Sequence, residues 1–204
     1  MKKILLIAAA LLMSASLFAE KLYLMQGTYL NTSRTYESTN NIKRNYGEAG
    51  LNFTSFNGNG VGFYSSATFL LPVTFSEKEN GVDTGATMNT LEILFDSWHL
   101  GLDALLGVGF LAPISPSFSL LAGAGLHFNG IALFSSYYSN YLAYNIGPGA
   151  SLNAILYLTR TFNINVSGMI AWDMLEFLTL PSGSGVSAKG GLTWAVSAGM
   201  GFSY

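Results

Sequence analysis

Six polar side chains set in apolar surroundings are the candidates for chemistry in this sequence. They are Glu48, His99, Asp103, His127, Asn129 and Asp173. A histidine beside a carboxylate can act as a general acid or base, and a hydroxyl within its reach can become a nucleophile. His99 and Asp103 are separated by about 13 Å in an extended chain, too far for a direct hydrogen bond. We therefore predict that these six residues are polar filling inside the fold and that none is catalytic.

The composition of the chain excludes several further kinds of site and partner. The chain has 204 residues and no cysteine, which excludes disulfides, thiolate metal sites and thiol catalysis. Half of its residues are apolar and only 10% are charged, too few charges for an ordinary soluble surface. The formal net charge is −2 and no basic patch occurs, so we expect no nucleic-acid partner. The sequence contains no metal-binding cluster or phosphate-binding loop, and we expect no metal and no cofactor.

The amino terminus is typical of a secretory signal peptide. Lys2 and Lys3 precede an apolar run from Ile4 to Leu12, and small residues lead up to Ala19. This run is far shorter than the roughly 20 residues that a membrane-spanning helix needs. We predict a signal peptide over residues 1–19, cleaved after Ala19, and one domain over residues 20–204.

The domain has a period of two residues rather than the helical period. Every even position from Leu192 to Tyr204 is apolar, and the same holds from Phe118 to Phe128, where His127 is odd. Such alternation indicates strands with one apolar face. In the first strand Gln26 is even, so there we expect odd residues on the apolar face. Eight strands are predicted, at residues 21–30, 46–56, 61–71, 90–110, 117–134, 141–158, 162–177 and 189–204.

These strands predict an all-β fold, a membrane-spanning, eight-stranded, antiparallel up-and-down barrel. A β-structure can cross lipid only when it closes, because an open edge would leave backbone groups unpaired. Four loops are expected at one end, at residues 31–45, 72–89, 135–140 (six residues) and 178–188 (eleven residues). Three shorter connections are expected at the other end, at residues 57–60, 111–117 and 159–161. Short turns face the periplasm in outer-membrane barrels, so both termini are expected there.

Two positions do not fit regular strands. Pro148 lies inside a predicted strand although it has no backbone N–H to donate, so we expect a β-bulge there. The apolar phase of the fourth strand changes near Asp96 and Ser97. Either a second bulge lies at that point or the strand begins only at Trp98.

The closing stretch "GLTWAVSAGMGFSY" resembles the carboxy-terminal β-signal of outer-membrane proteins. The residues that carry the resemblance are Val196, Ala198, Met200, Phe202 and Tyr204. With the signal peptide and the eight strands, the whole chain resembles the small barrels of the OmpX, OmpW and OmpA-barrel type. The stretches "LGLDALLGVGF" and "LLAGAGLHFNG" are also similar to a spirochete-type family of small barrels. The resemblance implies a monomer in the outer membrane of a Gram-negative-type (diderm) bacterium, in contact with outer-membrane lipid and inserted by the barrel-assembly machinery.

Some barrels of this size are enzymes that modify lipid A. The deacylase PagL pairs a histidine with a serine two residues later, but Asn129 stands two residues after His127 in this chain. Without a nucleophile the resemblance fails, and we expect no enzyme. A lipid A-modifying activity is kept as the third and least favoured alternative.

The remaining alternatives concern the lumen and the loops. Many glycines fall on the lumen face, so either large residues (Tyr64, Leu105, Leu121, Tyr157 and Met169) fill the space or a narrow conduit remains. OmpX- and OmpA-type interiors are crossed by pairs of basic and acidic side chains, which the assigned lumen positions lack, and this favours an OmpW-like barrel that passes small hydrophobic solutes. The favoured function is a structural or interaction role, as an adhesin or in envelope integrity, through loops that contact host or envelope surface molecules. An OmpW-like narrow channel is the alternative.

Overall fold

The computed structural model of the protein describes residues 21–36, 42–89, 97–135, 141–180, 183–187 and 191–204. Within these ranges the chain forms strands only. They are β1 (Lys21–Tyr36), β2 (Ile42–Asn59), β3 (Val61–Glu79), β4 (Val82–Asn89), β5 (Ser97–Ser115), β6 (Phe118–Ser135), β7 (Tyr141–Tyr157), β8 (Phe162–Asp173), β9 (Leu175–Leu180), β10 (Gly183–Ser187) and β11 (Gly191–Ser203). No helix in the described part of the chain is long and apolar enough to span a membrane. The predicted signal peptide, residues 1–19, lies outside the described residues and stays a prediction.

Eight of these strands close into an antiparallel barrel, which confirms the predicted fold class. Neighbouring strands pair in the order β1, β2, β3, β5, β6, β7, β8 and β11, and β11 pairs with β1 to complete the circle. The closing ladder extends from Leu22 opposite Ser203 to Ser33 opposite Leu192. Below it, Lys21 and Tyr204 exchange two backbone hydrogen bonds of 3.0 and 3.1 Å. Within the described residues each of these eight strands therefore has a paired neighbour on both sides.

The barrel presents apolar side chains outward and buries its polar ones. In β11 the even residues, such as Val196 and Phe202, are exposed, whereas Thr193 is fully buried. In β1 the buried residues are even, including Leu24 and Gln26, as the polarity of Gln26 predicted. This inversion of the usual arrangement of a soluble protein is what a lipid solvent requires.

The strands extend further than the sequence predicted: slightly at the short turns, where β2 runs to Asn59 and β5 to Ser115, and much more at the other end of the barrel. β1 continues to Tyr36, β2 begins at Ile42 and β3 continues to Glu79, so most of the expected loops 31–45 and 72–89 are strands. β4 folds back on β3 through Asn80 and Gly81, both with positive φ (50° and 82°). Asn-Gly is a strong hairpin signal, but no apolar alternation accompanied it, because both faces of this hairpin lie outside lipid.

The eleven-residue loop expected at 178–188 is also partly strand. β9 pairs with the upper part of β7, and β10 pairs with β9. The expected six-residue loop at 135–140 lies outside the described residues except for Ser135.

The end of the barrel that carries the β3–β4 hairpin and strands β9 and β10 is called the extracellular end. The opposite end carries the short turns at Gly60, Pro116–Ser117 and residues 158–161, together with the first and last described residues, Lys21 and Tyr204. We call it the periplasmic end, following the general rule for such barrels.

The structure has an irregularity at Pro148, as predicted, but the extra residue lies on the chain that faces β7 and not in β7 itself. Pairing with β6 is unbroken, with Pro148 directly opposite Leu126. Pairing with β8 stops at Gly149, however, and pairing with β9 begins only at Ile146, where the Met174 N–H donates to the Ile146 carbonyl at 3.0 Å. Between these points two residues of β7, Gly147 and Pro148, face three residues of the opposite chain, Trp172 to Met174, so one extra residue forms a β-bulge there. Proline has no N–H to donate to this ladder. The phase change near Asp96 falls at the start of β5, and residues 90–96 lie outside the described residues.

Large side chains fill the periplasmic half of the lumen. One buried cluster consists of Leu22, Leu24, Phe56, Tyr64, Leu105, Leu111, Leu121 and Ile155, with Tyr157 and Met169 packed against it. We call this cluster the apolar plug. A Cβ atom at Gly123 would lie 2.8 Å from the ring of Tyr64, and one at Gly109 would lie 2.9 Å from the ring of Phe56. These two lumen glycines therefore make room for the aromatic rings of the plug.

Candidate functional site

A buried histidine between two aspartates is the most unusual feature of the lumen. His127 Nε2 lies 2.6 Å from Asp103 Oδ2, and His127 Nδ1 lies 2.7 Å from Asp173 Oδ1. All three side chains are almost wholly buried. We call this group the Asp–His–Asp bridge. It connects β5, β6 and β8 inside the barrel.

Both contacts of the bridge require a proton. A neutral imidazole has one N–H and one acceptor nitrogen, and an ionised carboxylate only accepts. At 2.6 and 2.7 Å each ring nitrogen is within hydrogen-bond distance of a carboxylate oxygen. The geometry therefore fits an imidazolium that donates one hydrogen bond to each carboxylate. The three residues together then hold one proton more than a neutral histidine between two ionised aspartates. Charge-assisted bonds of this kind are about twice as strong as neutral ones.

Glycines on β7 let the bridge form across an intervening strand. Gly147 lies directly opposite His127 in the β6–β7 ladder, and a Cβ atom there would collide with the Trp172 carbonyl and lie 2.8 Å from the Cα of Asp173. At Gly149 a Cβ atom would lie 3.0 Å from the Cβ of His127. β7 and β8 therefore approach closely where the imidazole and the Asp173 carboxylate meet.

Hydroxyl and amide groups extend the bridge on both sides. The Thr193 hydroxyl donates to Asp173 Oδ2 at 2.8 Å and lies 3.2 Å from the Thr32 hydroxyl. On the other side, Asn129 Nδ2 donates to Asp103 Oδ2 at 3.3 Å. The Asp173 carboxylate thus has a partner on each oxygen, which lowers the cost of keeping it buried.

A second polar network crosses the neighbouring part of the lumen. Gln26 Nε2 donates to Asn165 Oδ1 at 2.7 Å, and Asn52 Nδ2 donates to Gln26 Oε1 at 2.8 Å. Ser66 and Thr68 donate their hydroxyl protons to Asn52 Oδ1 at 2.7 and 3.1 Å. These amides and hydroxyls connect β8, β1, β2 and β3, so the strands on this side are joined through uncharged groups.

The structure brings four of the six candidates together in one cluster. Asp103, His127, Asn129 and Asp173 form one cluster, whereas Glu48 is fully buried on β2, close to Gly101. His99 lies in β5 opposite Leu133, and its side chain lies outside the described residues. From the sequence no basic partner could be assigned to Asp103 and Asp173, because His127 lies on a different strand from either and the strand register was not known. Two further residues of the cluster were not predicted: Thr193, whose only signal was a lumen-facing position, and Thr32, which fell in the predicted loop 31–45.

The geometry of the cluster is unlike that of a nucleophilic site. The hydroxyl of Thr193, which belongs to the extended bridge, donates to Asp173 and not to His127. Both nitrogens of His127 are already occupied by carboxylates, so neither is available to accept a proton from a nucleophile. No group of three or more His, Cys, Asp or Glu side chains within the described ranges could hold a metal ion. The arrangement can join strands and hold a proton.

The carboxy-terminal residues have structural contacts of their own. Tyr204 stacks on Tyr23 of β1, with ring centroids 5.8 Å apart, and Phe202 contacts Phe162 of β8 at 5.5 Å. Val196, Met200, Phe202 and Tyr204 are exposed on the apolar outer surface. The recognition of these residues by an assembly machinery stays a prediction.

The closed barrel and its apolar exterior define an integral outer-membrane β-barrel protein. Solved structures have the same fold. The outer-membrane protein OprG from Pseudomonas aeruginosa superposes with a TM-score of 0.59 at 13% identity, over 91% of this chain and 96% of OprG. Neisserial surface protein A (NspA) superposes with a TM-score of 0.50 at 11% identity, over 90% of this chain and 97% of NspA. No protein-family model and no curated protein sequence matches the chain. The similarity to small outer-membrane barrels is thus confirmed as a similarity of fold.

Proposed function

We propose that this protein is a non-enzymatic barrel with a structural or interaction role, exerted through the part that extends beyond the membrane at the extracellular end. The observation that carries the proposal is the filled lumen. Tyr64 is 2% exposed, and Leu121 and Ile155 are fully buried in the apolar plug. Farther from the periplasm, the Asp–His–Asp bridge joins strands on opposite sides of β7. A solute crossing the lumen would have to displace both.

The extracellular extension offers a polar surface on a paired sheet. Lys78 of β3 lies between Lys43 of β2 and Asp83 of β4 in the strand register. The neighbouring Val82 is 71% exposed. Side chains held on paired strands lose less conformational entropy on binding than those of a mobile loop, which favours recognition of a partner. The partners we propose are molecules of the host surface or of the envelope.

The test is complementation of a deletion strain with variants that keep the barrel intact. One variant replaces residues 76–87 by a short turn and removes the β3–β4 hairpin beyond the membrane. We expect it to assemble normally but not to restore adherence to host cells or resistance to detergent. The matched control substitutes Ser115 at the periplasmic end by alanine and should restore both. Full restoration by the shortened variant would remove the hairpin from the proposal.

The absence of enzymatic activity is part of the same proposal. It is supported by the occupied nitrogens of His127 and by the position of the Thr193 hydroxyl on Asp173. Lipid A from cells with the wild-type protein and with His127→Ala is compared by mass spectrometry. Identical lipid A is expected. Loss of a modification in the His127→Ala strain would favour the enzyme instead.

A narrow channel is the second candidate, and the interrupted ladder at Pro148 favours it. On the outer surface a groove of about 380 Å³ lies over this interruption, lined by Pro148, Ile170, Trp172, Leu192 and the small residues between them. On the lumen side Gly149 contacts His127. An apolar solute could therefore pass through the wall and not along the plugged lumen.

Liposome uptake separates the two candidates. For the scaffold we expect wild-type protein to give no conductance and no uptake of small apolar solutes, with Tyr64→Ala as the control that opens the plug. For the channel, uptake by the wild type should be abolished by Gly149→Val, which fills the lumen side of the interruption. If the wild-type protein takes up solute and Gly149→Val does so equally, both the scaffold and the channel through the wall are contradicted.

A further inference from the structure

The periplasmic end of the barrel contains a cavity separate from the polar clusters of the lumen. Its volume is about 580 Å³, within the range of about 300–1,000 Å³ usual for small-molecule sites. It is bordered by the β2–β3 turn at Asn59 and Gly60, the β5–β6 turn at Pro113–Pro116, the β7–β8 turn at Leu158–Arg160, and Ser203. We call it the periplasmic cup.

The cup ends at the apolar plug and is not the mouth of a pore. Leu111 and Tyr157 line it and also belong to or pack against the plug. Pro113, Pro116 and Leu158 add apolar wall, while Ser119, Thr159 and Ser203 supply hydroxyl groups. A ligand that fits this lining must combine an apolar part with a polar end.

Arg160 gives the cup its charge. It is the one charged residue among the described residues that line the cavity. No acidic side chain occurs in residues 55–64, 108–121, 154–166 or 199–204, the segments that flank the lining residues. The charge that this lining offers to a ligand is therefore positive. The polar end that the cup fits is an anion.

The turn that carries Arg160 is held in place by hydrogen bonds on both sides. The Leu158 and Thr159 N–H groups donate to the Phe162 carbonyl at 3.0 and 3.1 Å, and the Phe162 N–H donates to the Thr159 hydroxyl at 2.9 Å. Ser203 of β11 donates its hydroxyl to the Arg160 carbonyl at 3.2 Å and its N–H to the Thr161 carbonyl at 2.9 Å. The backbone that positions the guanidinium is thus ordered before any ligand arrives, which reduces the entropic cost of binding.

We propose that the periplasmic cup binds a small amphiphilic anion, with its anionic head on Arg160 and its apolar part against Leu111, Tyr157 and Leu158. A charge-assisted contact to guanidinium is stronger than a neutral hydrogen bond, and burial of the apolar part adds hydrophobic free energy in proportion to the area buried. The site lies at the opposite end of the barrel from the proposed interaction surface, so it stands whether or not that function is correct.

The absence of cysteine from the chain allows a direct test. Ser115 is exposed on the cup and Val82 is exposed at the extracellular end. Ser115→Cys and Val82→Cys proteins in lipid nanodiscs are each labelled with an environment-sensitive thiol dye and titrated with octanoate or its neutral analogue octanamide. We expect a saturable response to octanoate at Ser115→Cys only, and a response to octanamide at least tenfold weaker in affinity.

Charge variants then locate the head group. In the Ser115→Cys background, Arg160→Gln should weaken octanoate binding at least tenfold and leave octanamide unchanged, and Arg160→Lys should restore most of the affinity. Lys78→Gln at the other end is the matched control and should have no effect. A response without saturation, or an equal response at Val82→Cys, would mean partition into the bilayer only and would overturn the proposal. Equal affinity for both probes, or no effect of Arg160→Gln, would overturn it too.

Discussion

His127 Nδ1 lies 2.7 Å from Asp173 Oδ1 although a whole strand, β7, separates β6 from β8. The contact exists because Gly147, opposite His127, has no side chain and β8 is close enough for its backbone to fill that space. Where two strands of a barrel are not neighbours, only a lumen side chain can connect them directly. The Asp–His–Asp bridge is such a connection, and several properties of the molecule depend on it.

Gly147→Ala should destabilise the barrel. The new Cβ atom would collide with backbone atoms of Trp172 and Asp173, which cannot move as a side chain would, and overpacking of this kind costs about 1–3 kcal/mol. The measurement is equilibrium urea unfolding of the refolded protein. Gly168→Ala is the matched control, because its Cβ would lie 4.0 Å from the nearest atom, the Ala195 carbonyl oxygen. Equal stability of the two variants would show that β7 and β8 are farther apart than described here.

Removal of the imidazole should be costly, and removal of the charges should compensate. His127→Leu leaves Asp103 and Asp173 buried without their shared partner, a change that costs about 3–5 kcal/mol in comparable pairs. Adding Asp103→Asn and Asp173→Asn to His127→Leu should recover part of that loss, because the two uncompensated charges disappear. Unfolding free energies of the single and triple variants test this. If the triple variant were less stable than His127→Leu, charge would not be the cause.

His127 should carry protons on both ring nitrogens in the folded protein at neutral pH. Each nitrogen faces a carboxylate oxygen at 2.6 or 2.7 Å, and only a proton makes such a contact favourable. Nitrogen-15 NMR of the imidazole reports this state. The chain has two histidines, so His99→Gln leaves a single histidine signal to assign. One protonated and one bare nitrogen would instead place the extra proton on an aspartate.

The terminal aromatic residue should matter more for assembly than for stability. Tyr23→Ala and Tyr204→Ala both remove the Tyr23–Tyr204 stack, which is worth about 0.5–1.5 kcal/mol. Refolded in detergent, the two variants should therefore be similarly stable. In cells, Tyr204→Ala should reduce the amount of folded protein in the outer membrane, and Tyr23→Ala should not. Equal yields in cells would contradict the assignment of Val196, Ala198, Met200, Phe202 and Tyr204 as an assembly signal.

Sequence periodicity predicted the barrel accurately where strands contact lipid and poorly beyond it. From Leu192 to Phe202 apolar residues alternate with small or polar ones, because every second side chain of the strand faces lipid, and the same holds for β6. The β3–β4 hairpin has no such selection, since water surrounds both its faces. Its strands were therefore expected as loop, although the Asn80-Gly81 turn signal was present.

For the candidate site, the sequence predicted which way the side chains face but not which of them meet. Sequence alone determined that Asp103, His127, Asn129 and Asp173 face the lumen, because the direction of a side chain in a strand is fixed by its parity. Which lumen residues meet depends on the strand register, on the glycines that bring β7 and β8 together and on the interruption at Pro148. Those are relations between distant segments, so only the tertiary structure decided that one histidine would hold two aspartates and that aromatic rings would fill the space the glycines left.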